Sequence, residues 1–209
     1  MLPFVPLGAK RVLEVGCGEG TFGHAVKVRN DAQVWGIELN PQAAHKSRMC
    51  LDKVLVGDIN VVLKSLPKRY FDCVVFNDVL EHLPNPEEIL NRVKSNLSSD
   101  GEVVCSIPNV LHIKLLIGLL IKRDWEYTNA GTLDRTHLRF FTKKSILRMM
   151  TNCGYETIRI KGINEIRSYT FKALKLLTLG ILSETSYLQY ACVARKAQRA
   201  GSENRIDLQ

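Results

Sequence analysis

Val12-Leu13-Glu14-Val15-Gly16-Cys17-Gly18-Glu19-Gly20 is the stretch whose reading decides the fold. Val12 to Val15 reads as a short buried strand, and Thr21 to Val28 as the helix that follows. Between them, glycines at 16, 18 and 20 let the backbone turn tightly and approach a ligand closely. A turn from strand to helix lies at the carboxyl end of a strand, where an open α/β sheet has its binding crevice. The spacing is GxGxG rather than the GxGxxG of the dinucleotide fingerprint. Glu14 sits two residues before Gly16 on a buried strand, where a carboxylate is costly without a polar partner. A cofactor bearing an ammonium group would supply one.

Outward from this turn the same alternation continues. Gln33 to Glu38 reads as a strand and Pro41 to Cys50 as a helix with proline in its first position. Val54 to Val56 is a third strand and Phe71 to Phe76 a fourth. Asn85 caps a helix running to about Leu97, with Pro86 in the first position and Glu88 closing a capping box. Asp100-Gly101 reads as a turn, and Glu102 to Ile107 as a strand closed by Pro108. Residues 109–141 break the rhythm and read as an insertion. Thr142 then caps a helix to about Asn152 that Gly154 ends. Tyr155 to Ile160 reads as a strand, Phe171 to Leu182 as an apolar helix and Leu188 to Ala194 as the last strand. This alternation predicts an α/β fold with a mostly parallel sheet and helices on both faces. It predicts one domain over 1–195 and a polar tail over 196–209.

Acidic residues recur at the strand ends. Glu38 closes the second strand, where a carboxylate accepts hydrogen bonds from both hydroxyls of a ribose, a role shared with nicotinamide enzymes. Gly57-Asp58-Ile59 closes the third, with an acid for the amino group of adenine and an apolar side chain for its ring. Asn77-Asp78 closes the fourth, placed for the amino-acid portion of a cofactor.

Taken together, VLEVGCGEG, GIELN, GDI, FDCVVFNDVLEHL and GEVVCSIPN resemble the class I S-adenosylmethionine-dependent methyltransferases over roughly residues 10 to 160. The resemblance implies a Rossmann-like, seven-stranded sheet of order 3-2-1-4-5-7-6 with the last strand antiparallel. It implies S-adenosyl-L-methionine as cofactor, with Glu14, Gly16, Cys17, Gly18 and Gly20 around its methionine portion. It implies Glu38 and Leu39 at the ribose, Asp58 and Ile59 at adenine, and Asn77 near the sulfonium. NDVLEHL, SIPNV and GTLDRTHLRFFT further resemble a bacterial subgroup linked to cell-surface glycan and lipid-linked sugar pathways and related to ubiquinone O-methyltransferases. About ten residues precede the first strand, where relatives carry a helix over the cofactor.

Methyl transfer to a hydroxyl is helped by a general base, and an imidazole titrates near neutrality. His82 and His137 are the candidates. Asp78, Glu81 and His82 fall at i, i+3 and i+4, so a helical turn would put them on one face. With His137 as a fourth ligand they form the candidate set for a divalent cation, although the reading commits to no metal.

The 209 residues carry a net charge of +8, which favours anionic partners without naming one. A small-molecule, sugar or lipid-linked acceptor is the expectation. The alternatives are a nucleic-acid methyltransferase and a non-catalytic cofactor-binding module. Against the first, Asn77 to Leu83 lacks the NPPY-type run of base-amino methyltransferases. The six cysteines are scattered with no CxxC pair, as expected of core thiols in a reducing cytoplasm. No signal peptide is read at Met1-Leu2-Pro3. The run Val110 to Ile121 is shorter than the ~20 apolar residues a spanning helix needs. The apolar runs 110–121 and 171–182 either pack on each other or rest on the inner face of a membrane.

Overall fold

Apolar residues at successive positions of the central strands leave the sheet on both faces and decide the layering. The computed structural model describes residues 1–168, 171, 176–180 and 182–198. Its strands are β1 (Arg11–Val15), β2 (Gln33–Glu38), β3 (Lys53–Val56), β4 (Phe71–Asn77), β5 (Leu97–Pro108), β6 (Tyr155–Glu165) and β7 (Tyr187–Lys196). Its α-helices are α1 (Thr21–Asn30), α2 (Pro41–Ser47), α3 (Ile59–Val62), α4 (Pro86–Val93), α5 (Ile113–Ile117) and α6 (Lys143–Asn152). Leu13, Val15, Val74, Phe76, Val103 and Cys105 face one way and pack with α3, α4 and α6. Val12, Val34, Cys73, Val75 and Val104 face the other way, onto α1 and the N-terminal segment around Phe4.

The sheet has the order β3-β2-β1-β4-β5-β7-β6. Only β7 runs against the rest, paired antiparallel with β5 and β6. The chain steps outward from β1 to β3 on one side and from β4 onward on the other. The carboxyl ends of β1 and β4 therefore flank the switch point, where side chains and turns diverge and leave a crevice.

Several boundaries differ from the sequence reading, each for a tertiary reason. The stretch 97–101 is neither the end of a helix nor a turn: α4 stops at Val93 and β5 begins at Leu97. β4 pairs with Leu97 and again from Glu102 onward, so residues 98–101 are taken up as an irregularity within the strand, at the register shift between Phe71 and Cys73. Gly101 is required there because a Cβ would lie 2.7 Å from the Phe71 carbonyl oxygen. β6 runs to Glu165, five residues further than its apolar run, because β7 pairs with it over that whole length. Helix α2 ends at Ser47 rather than Cys50. Lys196, read as the first tail residue, closes β7. The expected helix 171–182 lies partly outside the described residues, as do tail residues 199–209.

The insertion is pinned at both ends: Val110 N–H donates to the Phe141 carbonyl at 2.9 Å, and Asn109 bridges Phe141. Residues 109–141 therefore leave and return at one point, beside the end of β5. Among the described residues all six cysteines are free, and no helix is long and apolar enough to cross a membrane.

Candidate active site

The glycine turn forms as read. Gly16, Gly18 and Gly20 have φ of 69°, 53° and 86°, the left-handed region that glycine enters without penalty. Gly16 and Cys17 N–H donate to the Ile37 carbonyl at 2.8 and 3.1 Å, tying the turn to β2. Glu38 closes this link from the other side. Its Oε2 accepts from Gly18 N–H at 2.7 Å and its Oε1 from Asn40 N–H at 2.8 Å. An ionised carboxylate has about four acceptor positions, so two remain for a ligand.

A cavity of about 310 Å³ opens beneath the turn, with Gly16, Glu38, Leu39, Asp58 and Ile59 in its wall. Asp58 also caps α3, accepting from Asn60 N–H at 2.7 Å. Sequence reasoning missed Val79, Leu83 and Pro84, which complete the wall from the stretch after β4. These residues carry no charge or glycine signal. Glu14, Cys17, Gly18, Gly20 and Asn77 lie behind or beside this wall rather than in it. Glu14 is 3% exposed, under α1, and its Oε2 has no hydrogen-bond partner. Burial raises its pKa to about 8, against a smaller opposing pull from the Gly23 amide and Asn77. Gly23 follows from the same packing: a Cβ there would lie 2.7 Å from Glu14 Oε2. Asn77 Oδ1 is likewise buried without a partner. Residues 1–10 cover none of this. Asn30, at the far end of α1, donates to the Pro6 and Ala9 carbonyls, which places the segment at the opposite edge of the sheet.

A second cavity of about 230 Å³ lies between the end of β4, the start of β7 and the insertion, with Asp78, Glu81, His82, His137 and Gln189 in its wall. Leu80–His82 is a 3-10 turn and Asp78 has φ of 52°, so Asp78, Glu81 and His82 do not share a helical face. The expected set of four is therefore corrected to three. Ligand atoms of Glu81, His82 and His137 lie within 4.8 Å of one another, without Asp78. The two imidazoles meet edge to face at 4.6 Å. Glu81 N-terminal packing explains how the distant segments meet: its carbonyl accepts from Leu138 and Arg139 N–H at 2.8 and 3.0 Å. Arg139 adds a clamp on the Pro84 carbonyl at 2.6 Å.

The hydrogen bonds settle both tautomers. His137 Nδ1 donates to the Thr132 carbonyl at 3.1 Å. His82 Nδ1 donates to the Thr136 carbonyl at 3.2 Å and to Thr136 Oγ1 at 3.1 Å. That hydroxyl in turn donates to Asp134 at 2.6 Å, which helps hold Asp134 below the usual carboxylate range. Each ring is thus fixed through Nδ1, and in the neutral form this leaves Nε2 as the acceptor. Glu81 is 1% exposed and neither carboxylate oxygen has a partner. Burial, with a smaller contribution from Asp78, raises its pKa to about 8.

With this geometry in place, the comparisons are decisive. A family model described as a methyltransferase domain matches residues 3–160. The chain belongs to this methyltransferase family. The ubiquinone biosynthesis O-methyltransferase of Idiomarina loihiensis is 29% identical over 163 residues, covering 75% of this chain and 66% of that protein. The mitochondrial ubiquinone biosynthesis O-methyltransferase of Schizosaccharomyces pombe is 27% identical, covering 79% of this chain and 60% of its own length. The methyltransferase chain thus spans about two thirds of the length of these curated relatives. A methyltransferase from Archaeoglobus fulgidus, described as dependent on S-adenosylmethionine, shares the fold with a TM-score of 0.68 at 22% identity, over 93% of this chain and 89% of that one. A Burkholderia thailandensis N1-methyltransferase, solved with S-adenosylhomocysteine bound, has a TM-score of 0.60 at 14% identity, over 91% of this chain and 72% of that one.

One prediction arises directly from Glu38. Glu38→Ala removes the carboxylate that the sequence reading assigns to a ribose and also frees Gly18 N–H. The expected loss in S-adenosylmethionine affinity is about 1–3 kcal/mol, the usual worth of hydrogen bonds to a charged group. Calorimetry on both proteins checks it, and an unchanged dissociation constant would refute the role.

Proposed function

We propose that the domain transfers a methyl group from S-adenosylmethionine to a hydroxyl of a small-molecule, sugar or lipid-linked acceptor held in the second cavity. One observation carries this reading: His82 is in the wall of both cavities. A donor pocket and an acceptor pocket therefore adjoin at an imidazole with a free Nε2. In this reading Glu38 and Leu39 hold the ribose, Asp58 and Ile59 hold adenine, and Glu14, Gly16, Cys17, Gly18, Gly20 and Asn77 shape the methionine end.

The transfer is an in-line displacement, and the protein's main contribution is to align the two reactants. The acceptor oxygen forms its bond to the methyl carbon as the sulfur–carbon bond breaks. The bonding pair returns to sulfur, which becomes a neutral thioether. The hydroxyl proton passes to Nε2 of His137 or His82, a general-base contribution of about 10²–10⁴-fold. In place of that role, Glu81, His82 and His137 fit a divalent cation, because Glu81 presents two buried oxygens without partners and both rings are anchored through Nδ1. When bound, such an ion would lower the pKa of an acceptor hydroxyl.

Transfer of labelled methyl from S-adenosylmethionine to hydroxyl acceptors tests the reading, with RNA and DNA as competing substrates. His137→Ala should lower turnover at least about tenfold, roughly 1.4 kcal/mol of barrier. Cofactor affinity should hold. Label appearing only in nucleic acid would overturn the acceptor class, and full activity in the variant would remove His137 from the chemistry.

The exposed apolar residues favour contact with a lipid surface as a second feature of the same reading. Leu120, Ile121, Leu177 and Leu179 are 70%, 76%, 81% and 92% exposed. The first two adjoin exposed Lys122 and Arg123. Both stretches join the end of the sheet where the acceptor cavity opens, because the end of β5 pairs with the start of β7. Apolar side chains flanked by cations suit anionic headgroups. Co-sedimentation with phosphatidylglycerol vesicles, but not with phosphatidylcholine vesicles, is expected; no binding to either would dismiss the contact.

A further inference from the structure

Asp78 is held in a way that an ordinary surface carboxylate is not. It directly follows β4 and has φ of 52°, in the left-handed region where Asp is found more often than other side chains apart from Asn. Its N–H donates to Ser106 Oγ at 3.1 Å and lies 3.3 Å from the Ser106 carbonyl, which holds the turn. Its carboxylate is gripped as well. Oδ1 accepts from Ser106 Oγ–H at 2.8 Å, and Gln189 Nε2 donates to Oδ1 and Oδ2, each at 2.9 Å. Gln189 is itself steadied by Asn164 Nδ2, which donates to Gln189 Oε1 at 2.8 Å. The chain of hydrogen bonds thus runs across β6, β7, β5 and the end of β4.

Every one of these donors is neutral, so the carboxylate is oriented by hydrogen bonds and not by an ion pair. Three of its roughly four acceptor positions are used, and the one left is on Oδ2. Asp78 and Gln189 both stand in the wall of the second cavity, and Asp78 is exposed there. Asp78 contributes no atom to the group formed by Glu81, His82 and His137. Ordering a long Gln side chain costs about 1.5–2 kcal/mol, which an exposed aspartate in water does not require.

We propose that Asp78 grips the acceptor, accepting a hydrogen bond from a second donor group on it, and that Gln189 and Ser106 are the positioning residues that aim Asp78. The acceptor is accordingly a molecule with a hydroxyl or N–H besides the hydroxyl that is methylated. This rests on the reading of the second cavity as the acceptor site.

The test uses acceptor pairs differing by one hydroxyl, such as catechol with phenol and a methyl hexoside with its deoxy analogue. The wild-type protein should prefer the member with two donors. Asp78→Asn keeps the shape and removes the charge. It should raise KM for the two-donor member at least tenfold, with the loss falling on KM more than on kcat. Its preference within each pair should disappear, while S-adenosylhomocysteine affinity and melting temperature hold. Gln189→Leu should reproduce part of that lost preference, a readout that a purely structural role would not move, and it serves if Asp78→Asn does not fold. An active wild type whose Asp78→Asn and Gln189→Leu variants keep the preference would overturn this inference alone. A wild type that methylates no hydroxyl acceptor would overturn the reading of the cavity and this inference with it.

Discussion

Gly18→Val is expected to remove measurable S-adenosylmethionine binding while the protein stays folded. A Cβ at residue 18 meets nothing within 4 Å, so the larger side chain enters open space, where the proposed cofactor's methionine end would lie. The φ of 53° adds strain of roughly 1–2 kcal/mol, and each kcal/mol moves the melting temperature of a domain this size by about 2–4 °C. The neighbouring glycines do not separate the two effects. A Cβ at Gly16 would lie 2.7 Å from Val79 Cγ2, and one at Gly20 would lie 2.7 Å from Cys50 Sγ, so substitution there disturbs the turn itself. Calorimetric titration with thermal melting reads both quantities. Binding within threefold of wild type would show that the turn is only a strand-to-helix reversal.

Glu81→Leu is expected to stabilise the chelator-treated protein at pH 8 and to cut turnover at least a hundredfold, about 2.7 kcal/mol of barrier. The buried carboxyl has no partner for either oxygen, and such a group costs about 1–3 kcal/mol. Its folded pKa of about 8 lies above the value of 4.5 it has in the open chain. Protonation therefore favours the folded state. The stabilisation is complete below pH 4.5 and is lost as pH rises through 8. Glu14 is displaced in the same direction to about 8, so the wild-type melting temperature should fall from pH 5 to pH 8.5, and the leucine variant should keep only part of that slope. A leucine variant that melts lower at pH 8, or that retains activity, would contradict the account. A cation held by Glu81, His82 and His137 would bind more tightly as pH rises, because it would displace the proton from Glu81.

Much of this protein was legible locally. Val12 to Val15, the three glycines and Thr21 onward form a strand, a turn and a helix because each choice depends on neighbours a few residues away. The acids at strand ends were legible for the same reason: a parallel sheet puts every strand's carboxyl end on one edge, so Glu38 and Asp58 had to reach one crevice. The comparison with known families added the sheet order, which no local signal contains.

Tertiary structure decided what lies across the crevice. His82 meets the insertion's return, and with it His137, through a hydrogen bond to Thr136, 54 residues along the chain. Asp78 shares the spacing of Glu81 and His82 but stays outside their group, its carboxylate held by Gln189, 111 residues later. Asp100-Gly101 carries a turn signal yet lies within β5, because β4 pairs on both sides of it, with Leu97 and from Glu102 onward, and the residues between are accommodated as an irregularity. Spacing along a sequence reports which residues are near each other only while the backbone between them is regular. At the turn after β4 it is not, and there the partners were chosen by β7 and the insertion.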